Sequence, residues 1–441
     1  MENPVNGIVD CGPVGIHRSY PASESMPAIA HVVLSTARAK LAPSAHSGVF
    51  HSTHRAYYYY HYFLYNYIVM YIRTVSLTNF RNYEHLEFEP AEGLNILVGA
   101  NAQGKSAILE GVYLLATSKS HRTSRDMDLI RIGENLARTC AHVIRTQRND
   151  ATLEIILSRQ EKKTVRINKV RHPKVGDIVG QLNAVIFSNS DIDMVRGEPS
   201  LRRRFLNLEI SQISPQYIYS LGRYKRVLDQ RNNLLKEIKQ GRARPKDLDM
   251  WDRQLAQYGA DIILRRAGFV GFLAKSAARI YSMLTQNTEE FDIAYKPNVE
   301  SNLSDSEKDI ESRFAGLLAS RKETDILRAT TTTGPHRDDL SLMIAGMTAR
   351  EFASQGQQRS AAIAMKLAEI DIIKESAKES PVVLLDDVMA ELDETRRARI
   401  LGITMDRCQT FVTTTSLDDV ESIAAAADAV FHVGSGKVTR V

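Results

Sequence analysis

Three short stretches carry residue types that could do chemistry together. The first is Gly99-Ala100-Asn101-Ala102-Gln103-Gly104-Lys105-Ser106. Its two glycines let the backbone curl so that successive N–H groups point inward at anionic oxygens. Lys105 can reach outer phosphates, and the Ser106 hydroxyl suits Mg2+. The second is Asp386-Asp387, placed directly after the apolar run Val382–Leu385. A carboxylate at the end of a buried strand can hold Mg2+ through water opposite Ser106, and its neighbour can orient or deprotonate an attacking water. Taken alone, an acidic pair after a strand serves equally well as a loop or helix cap. The third is Ser354-Gln355-Gly356-Gln357 at the head of a long helical pattern, where a helix N-terminus can form a second phosphate-binding surface.

The first stretch needs a strand before it and a helix after it, and the pattern supplies both. Leu94, Ile96, Leu97 and Val98 form an apolar run into the loop, and Ile108, Leu109, Val112 and Leu115 follow it at helical spacing. That context favours nucleotide binding over a glycine-rich turn closed by an ordinary lysine. Upstream, residues 70–80 alternate as a strand, and His85–Phe88 pairs back on it through a short turn. Ala151–Ser158 and Lys163–Ile167 read as a hairpin, and Ala184–Phe187 as a buried strand. From 199 to 326 the signal turns helical. Tyr217, Leu221, Tyr224, Leu228 and Leu235 recur at helical spacing, and after the break at Gly241–Pro245 so do Trp251, Leu255, Tyr258 and Ile262. Two antiparallel helices would bury these stripes against each other, the first about 38 Å long at 1.5 Å per residue. Strands resume with Pro381–Leu385, Phe411–Thr415 and Val430–Val433. The predicted fold is therefore α/β, with one head made of residues 70–198 and 327–441 and split in sequence by a helical arm, 199–326.

The arm predicts an exposed stripe of cations: Arg223, Lys225, Arg226, Arg231, Lys236, Lys239, Arg242, Arg244 and Lys246. Such a run is usually a solvated face, and a DNA-contacting arm is the sharper alternative. Over the 441 residues Lys plus Arg outnumber Asp plus Glu by only 57 to 52, too small an excess to argue nucleic acid by itself. Three scattered cysteines, Cys11, Cys140 and Cys408, lack metal-ligand spacing and point to a reducing, cytoplasmic compartment. Residues 1–69 are rich in Ser, Pro, His, Ala and Tyr and show no sustained period. They are read as an over-long low-complexity extension, with Met70 the natural start, and the competing reading is a regulatory or targeting tail. The tyrosine-rich run from Tyr57 to Tyr71 is too polar for a membrane span, so no membrane role is expected.

The form Ser354-Gln355-Gly356-Gln357-Gln358-Arg359 resembles the signature of ABC-type ATPases, and Glu391-Leu392-Asp393 resembles their D-loop. The resemblance narrows with Leu77-x-Asn79-Phe80-Arg81-Asn82-Tyr83, Ser120-His121-Arg122-Thr123, Gly197-x-Pro199 with Arg202-Arg203-Arg204-Phe205-Leu206, and Thr333-Gly334-Pro335-His336-Arg337-Asp338-Asp339. All of these are similar to the bacterial RecF family, and the likeness covers nearly everything after residue 69. It implies an ABC-type P-loop ATPase head in which two subunits sandwich two ATP molecules. Gly99–Ser106 would bind ATP, Ser106 and Asp386 would hold Mg2+, Lys105 and Asp387 would be catalytic, and Ser354–Gln357 would act from the second subunit. It further implies a repair and replication-maintenance ATPase that binds duplex and gapped DNA as an ATP-dependent homodimer. RecR and RecO would be its partners in loading a recombinase, and ATP would serve mainly as a slowly hydrolysed switch. Three departures stand out. Asp387 occupies a position usually held by glutamate, Asn207 stands where an aspartate is expected, and a switch histidine is missing, with Thr414 or Thr415 at that strand end. His336 is expected to be a hydrogen-bonded structural residue, and Arg122 and Arg202–Arg204 are left open between phosphate contact and helix capping. The rival readings are a transporter's nucleotide-binding subunit, which would leave the helical insert unexplained, and another SMC-like ATPase.

Overall fold

A computed structural model describes residues 70–302, 304–389, 394–405, 408–417, 420 and 424–441. The readings placed on residues 1–69 and on Glu391-Leu392-Asp393 lie outside these.

The chain opens with β1 (Tyr71–Phe80), β2 (Tyr83–Phe88) and β3 (Leu94–Val98), and α1 (Lys105–Thr117) follows the phosphate loop. Next come β4 (Leu136–Ile144), β5 (Ala151–Ser158), β6 (Thr164–Ile167), β7 (Val170–His172) and β8 (Ala184–Ser188). Helix α2 (Ile192–Arg196) precedes the insertion, which contributes α3 (Pro199–Ile213), α4 (Pro215–Lys239), α5 (Asp249–Thr285), β9 (Phe291–Lys296) and α6 (Glu307–Arg328). The chain closes with β10 (Asp339–Ile344), β11 (Met347–Thr348), α7 (Ala349–Phe352), α8 (Gln355–Ala377), β12 (Val382–Asp386), α9 (Glu394–Thr404), β13 (Thr410–Thr414), β14 (Ala429–Gly434) and β15 (Lys437–Arg440).

Two six-stranded sheets make the head. One is antiparallel, β2-β1-β4-β5-β6-β7. The other, β15-β14-β3-β13-β12-β8, is parallel from β14 through β8, with only the edge strand β15 antiparallel. Its central strands are near-continuous apolar runs, as expected of a parallel sheet covered on both faces. Helix α1 packs on strands of both sheets and is buried along almost its whole length. This explains why its sequence is apolar nearly all round rather than in one stripe. The sheet draws β3 from before the insertion and β12 and β13 from after it, so the loop after β3 and the acids after β12 emerge at the same edge.

The insertion is not wholly helical. Strand β9 pairs with β10 in a three-stranded sheet, with Leu340 opposite Tyr295 and Leu342 opposite Ile293. The alternation Phe291, Ile293, Tyr295 is a short period-2 signal within a long helical stretch.

The exposed cation stripe also needs correction at Arg231, which is fully buried. Its Nε donates to Asp252 at 2.6 Å, and its guanidinium reaches Asp325 at 2.7 Å and the Thr331 hydroxyl at 2.9 Å. Three arm helices are tied together there. A second buried arginine, Arg266, donates to Asp338 (2.7 Å), the Pro335 carbonyl (2.6 Å), Tyr217 and Asn207. Asn207 thus serves as an acceptor to a charged donor where an aspartate was expected. His336 fills the predicted structural role, bonded to the Tyr224 hydroxyl at 2.7 Å and the Thr331 carbonyl at 3.1 Å. The three consecutive arginines are pinned on protein groups: Arg202 to Asp339, Arg203 to the Asp338 carbonyl and Arg204 to the Ser120 carbonyl.

Candidate nucleotide-binding site

The loop after β3 closes on the first turn of α1, where Gly104 has φ of 111° and carbonyl contacts to the N–H groups of Ala107 and Ile108. A Cβ at Gly104 would lie 2.7 Å from the Tyr83 hydroxyl, and one at Gly99 would lie 2.1 Å from the Val433 carbonyl. Neither position accepts a side chain. The Tyr83 hydroxyl is buried with no hydrogen-bond partner among the described residues. Lys105 is buried and folds its Nζ back onto the carbonyls of Gly99 (2.6 Å) and Ala100 (3.0 Å). Burial lowers the Lys105 ammonium below its ordinary range, and Asp387 and Asp386 oppose that shift. The cradle, the helix N-terminus behind it and a desolvated ammonium together make an anion site of phosphate dimensions.

The loop floors a cleft of about 950 Å3, lined in part by Asn101, Ala102, Lys105, Ser106, Arg122 and Asp387. Asn82 braces one wall by donating to the Gln103 carbonyl at 3.0 Å. Arg81 makes a two-point contact with the fully buried Glu110, at 2.8 and 2.7 Å, and Glu110 also accepts from Ser120. Arg81, Asn82 and Ser120 belong to the motifs that carried the resemblance, whereas Glu110 was not singled out; together Arg81, Glu110 and Ser120 hold the loop 118–123 against α1. Arg122 is half-exposed on the cleft wall.

Strand β12 delivers Asp386 and Asp387 to the same edge. Asp387 sits in the left-handed region, φ 54°, which Asp tolerates better than most residues, and its N–H donates to the Thr413 hydroxyl at 2.9 Å. That hydroxyl is also 3.2 Å from Asp386. The threonine facing the acids is therefore Thr413, whereas Thr414 turns away to the Ser416 carbonyl. Burial pushes the Asp386 carboxyl up, but His121, Ser106 and Thr413 outweigh it and hold it below the usual range. Asp387 is shifted the other way, raised by burial and by the Asp386 charge with Lys105 opposing. One acid is thus held ionised beside Ser106 while its neighbour is a stronger base, a division of labour suited to cation holding and water activation.

Among the described residues no group of three or more His, Cys, Asp or Glu could hold a metal unaided. Mg2+ does not need one, since it keeps waters and binds one or two protein oxygens plus phosphates. The Ser106 hydroxyl against the Asp386 carboxylate is such a hard-oxygen pair.

Ser354–Gln357 stand apart from this cleft and are not among its lining residues. Ser354 caps α8 by accepting from the Gln357 N–H, and the Gln357 side chain returns the bond to the Ser354 N–H at 2.7 Å. Ser354, Gln355 and Gly356 are exposed, and so is Phe352 beside them. A Cβ at Gly356 would meet nothing closer than 4.0 Å, so packing within this chain does not require the glycine.

Comparison with known proteins places this geometry. The profile of the RecF/RecN/SMC N-terminal domain family matches residues 71–439. The chain is 40% identical over 371 residues to the DNA replication and repair protein RecF of Bacillus mycoides, covering 84% of this chain and 98% of that one. It is 39% identical over 369 residues to the RecF protein of Bacillus cytotoxicus, with the same coverage. Among solved structures it is similar to the recombination mediator protein RecF-ATPrS of the RecFOR pathway, with a TM-score of 0.79, 33% identity and coverage of 85% of this chain and 99% of that one. It is also similar to the corresponding RecF-ATP structure, with a TM-score of 0.78 and 34% identity.

Proposed function

This chain belongs to the RecF family of DNA replication and repair proteins, and from that premise we propose that it is a Mg2+-dependent ATPase that grips DNA as an ATP-bound homodimer. Gly99–Ser106 hold the phosphates, Ser106 and Asp386 hold Mg2+ with water between, and Asp387 orients the attacking water. Bound Mg2+ neutralises charge on the outer phosphates. Ser354, Gln355, Gly356 and Gln357 act on the nucleotide held by the other copy. The head is residues 70–198 with 327–441, and 199–326 form the arm.

One observation carries the reading. The signature residues form a capped, exposed helix N-terminus outside the cleft of their own chain, with a glycine that packs against nothing. A second copy's phosphates account for both the exposure and the glycine. Hydrolysis is slow because the water-activating carboxylate is an aspartate one methylene shorter than glutamate, so ATP works chiefly as a switch.

DNA contacts are assigned to the seam between head and arm. Arg204 bonds the Ser120 carbonyl beside Lys119, Arg203 bonds the Asp338 carbonyl beside Arg337, and Tyr224, next to Lys225, bonds His336. Lys119, Arg203, Arg204, Lys225 and Arg337 are thus gathered from separate elements. Burial lowers the Lys225 ammonium most, and repulsion from Lys119 and Arg266 lowers it further. A polyphosphate backbone relieves that repulsion. On the strength of the family resemblance we assign RecR and RecO as partners, recombinase loading at gapped DNA as the task, and the cytoplasm as the location. Among the described residues no helix is long and apolar enough to cross a membrane.

The deciding experiment is sizing with and without ATP, run in parallel on Lys105→Arg and Ser354→Arg. Wild type should become a dimer with ATP while both variants stay monomeric. Dimerisation indifferent to both changes would refute the sandwich.

A further inference from the structure

His121 lies in the Ser120-His121-Arg122-Thr123 stretch that follows α1. Its side chain is only 9% exposed, and its Nε2 lies 3.8 Å from Asp386 Oδ2. Both ring nitrogens are buried and neither has a hydrogen-bond partner among the described residues. Buried imidazoles almost always have at least one bond, so an orphaned ring aimed at a carboxylate needs a reason.

The surroundings fix its aim. The ring stands edge-on to Tyr113 of α1, with centroids 5.7 Å apart and planes at 89°. The Ser120 hydroxyl accepts from the N–H groups of Arg122 and Thr123, and its carbonyl accepts from Arg204 of α3. The backbone around His121 is therefore held on both sides. The remaining gap to Asp386 is about 1 Å longer than a normal hydrogen bond, a distance closed by a small side-chain rotation or by one bridging water. From β13 the Thr413 hydroxyl meets both acids.

We propose that His121 is a positioning residue of the nucleotide site: its Nε2–H donates to Asp386, directly or through water, and holds that carboxylate in the orientation hydrolysis requires. This rests on the ATPase reading above. His121 touches no reacting atom, and its effect runs through Asp386. Because Arg204 grips the Ser120 carbonyl, the orientation of Asp386 depends on where α3 of the arm sits.

Two variants and one spectroscopic measurement test it. His121→Phe keeps a ring edge against Tyr113 without a nitrogen, and His121→Gln restores a donor. The expected result is ATP affinity and KM within about twofold of wild type, kcat lowered roughly 10-fold or more in His121→Phe, and recovery of most of it in His121→Gln. Unchanged kcat in His121→Phe overturns the proposal, as does equal loss in both variants, which would mark a packing role. Independently of turnover, 15N-histidine NMR of the full chain, with the resonance assigned by its loss in His121→Gln, should show a proton on Nε2 and a signal that moves on ATP addition. An ATP-insensitive signal or the Nδ1–H tautomer overturns the proposal. A wild type that binds ATP without hydrolysing it refutes the turnover reading while the NMR still decides His121, and one that binds no ATP overturns both.

Discussion

Replacing Arg231 by Met separates two roles that the arm's cations share in sequence. Arg231 is fully buried between Asp252 and Asp325, and Asp325 is itself fully buried and accepts from the N–H and hydroxyl of Thr332. Removing the guanidinium leaves two carboxylates without their cation, one of them with no access to water. Breaking a buried pair by deleting one partner costs about 3–5 kcal/mol, far above the 0–1 kcal/mol typical of exposed pairs. Arg231→Met should therefore lower the unfolding free energy by about that amount. The assay is built into the chain, because its single tryptophan, Trp251, neighbours Asp252 on α5 and reports arm unfolding in urea. Adding Asp325→Asn to Arg231→Met should return roughly 1–2 kcal/mol by removing the stranded charge. The salt slope of DNA binding should stay where it was, since Arg231 reaches no solvent. A destabilisation below about 1 kcal/mol, or a reduced salt slope, would refute the reasoning.

Three further outcomes follow from the same geometry. Lys225→Ala at the seam should weaken DNA binding on all sequences alike and reduce the salt slope by about 1, with unfolding unchanged. Asp387→Asn should abolish hydrolysis yet raise the urea midpoint of the nucleotide-free protein at neutral pH. Burial and Asp386 raise the folded-state pKa of Asp387, so its ionisation opposes folding as pH rises through that value, and the amide removes the penalty. His336 is lowered by burial to about 4 from an ordinary 6.5. The unfolded chain takes up a proton below pH 6.5 that the folded chain refuses until about 4, so this contribution to stability is full above that window and falls through it. Urea titrations at pH 6.5 and pH 5 should show His336→Gln losing roughly 1.5 kcal/mol less than wild type over that interval.

What could be read beforehand, and what could not, divides along physical lines. The phosphate loop, the strand before it and the helix after it are encoded within some twenty consecutive residues, since glycine torsions and apolar runs are local properties. The acids after β12 are equally local. Thr414 and Thr415 were named only as occupants of the strand end, and Thr413 was not singled out, because side chains alternate across a strand and the sequence alone does not say which hydroxyl faces β12. Only the pairing of Leu385 with Val412 settles which threonine meets Asp387. Arg231 was counted as exposed because its face of α4 reads as polar in isolation, and Asp252 and Asp325, which cover it, lie 21 and 94 residues away. The same holds with more consequence for His121. Nothing near it in sequence calls for an imidazole, and Asp386 reaches it only because the strands before and after the arm share one sheet. The insertion that hides this contact in the sequence also ties it to the arm: the Arg204 guanidinium donates to the Ser120 carbonyl, next to His121, at 2.8 Å.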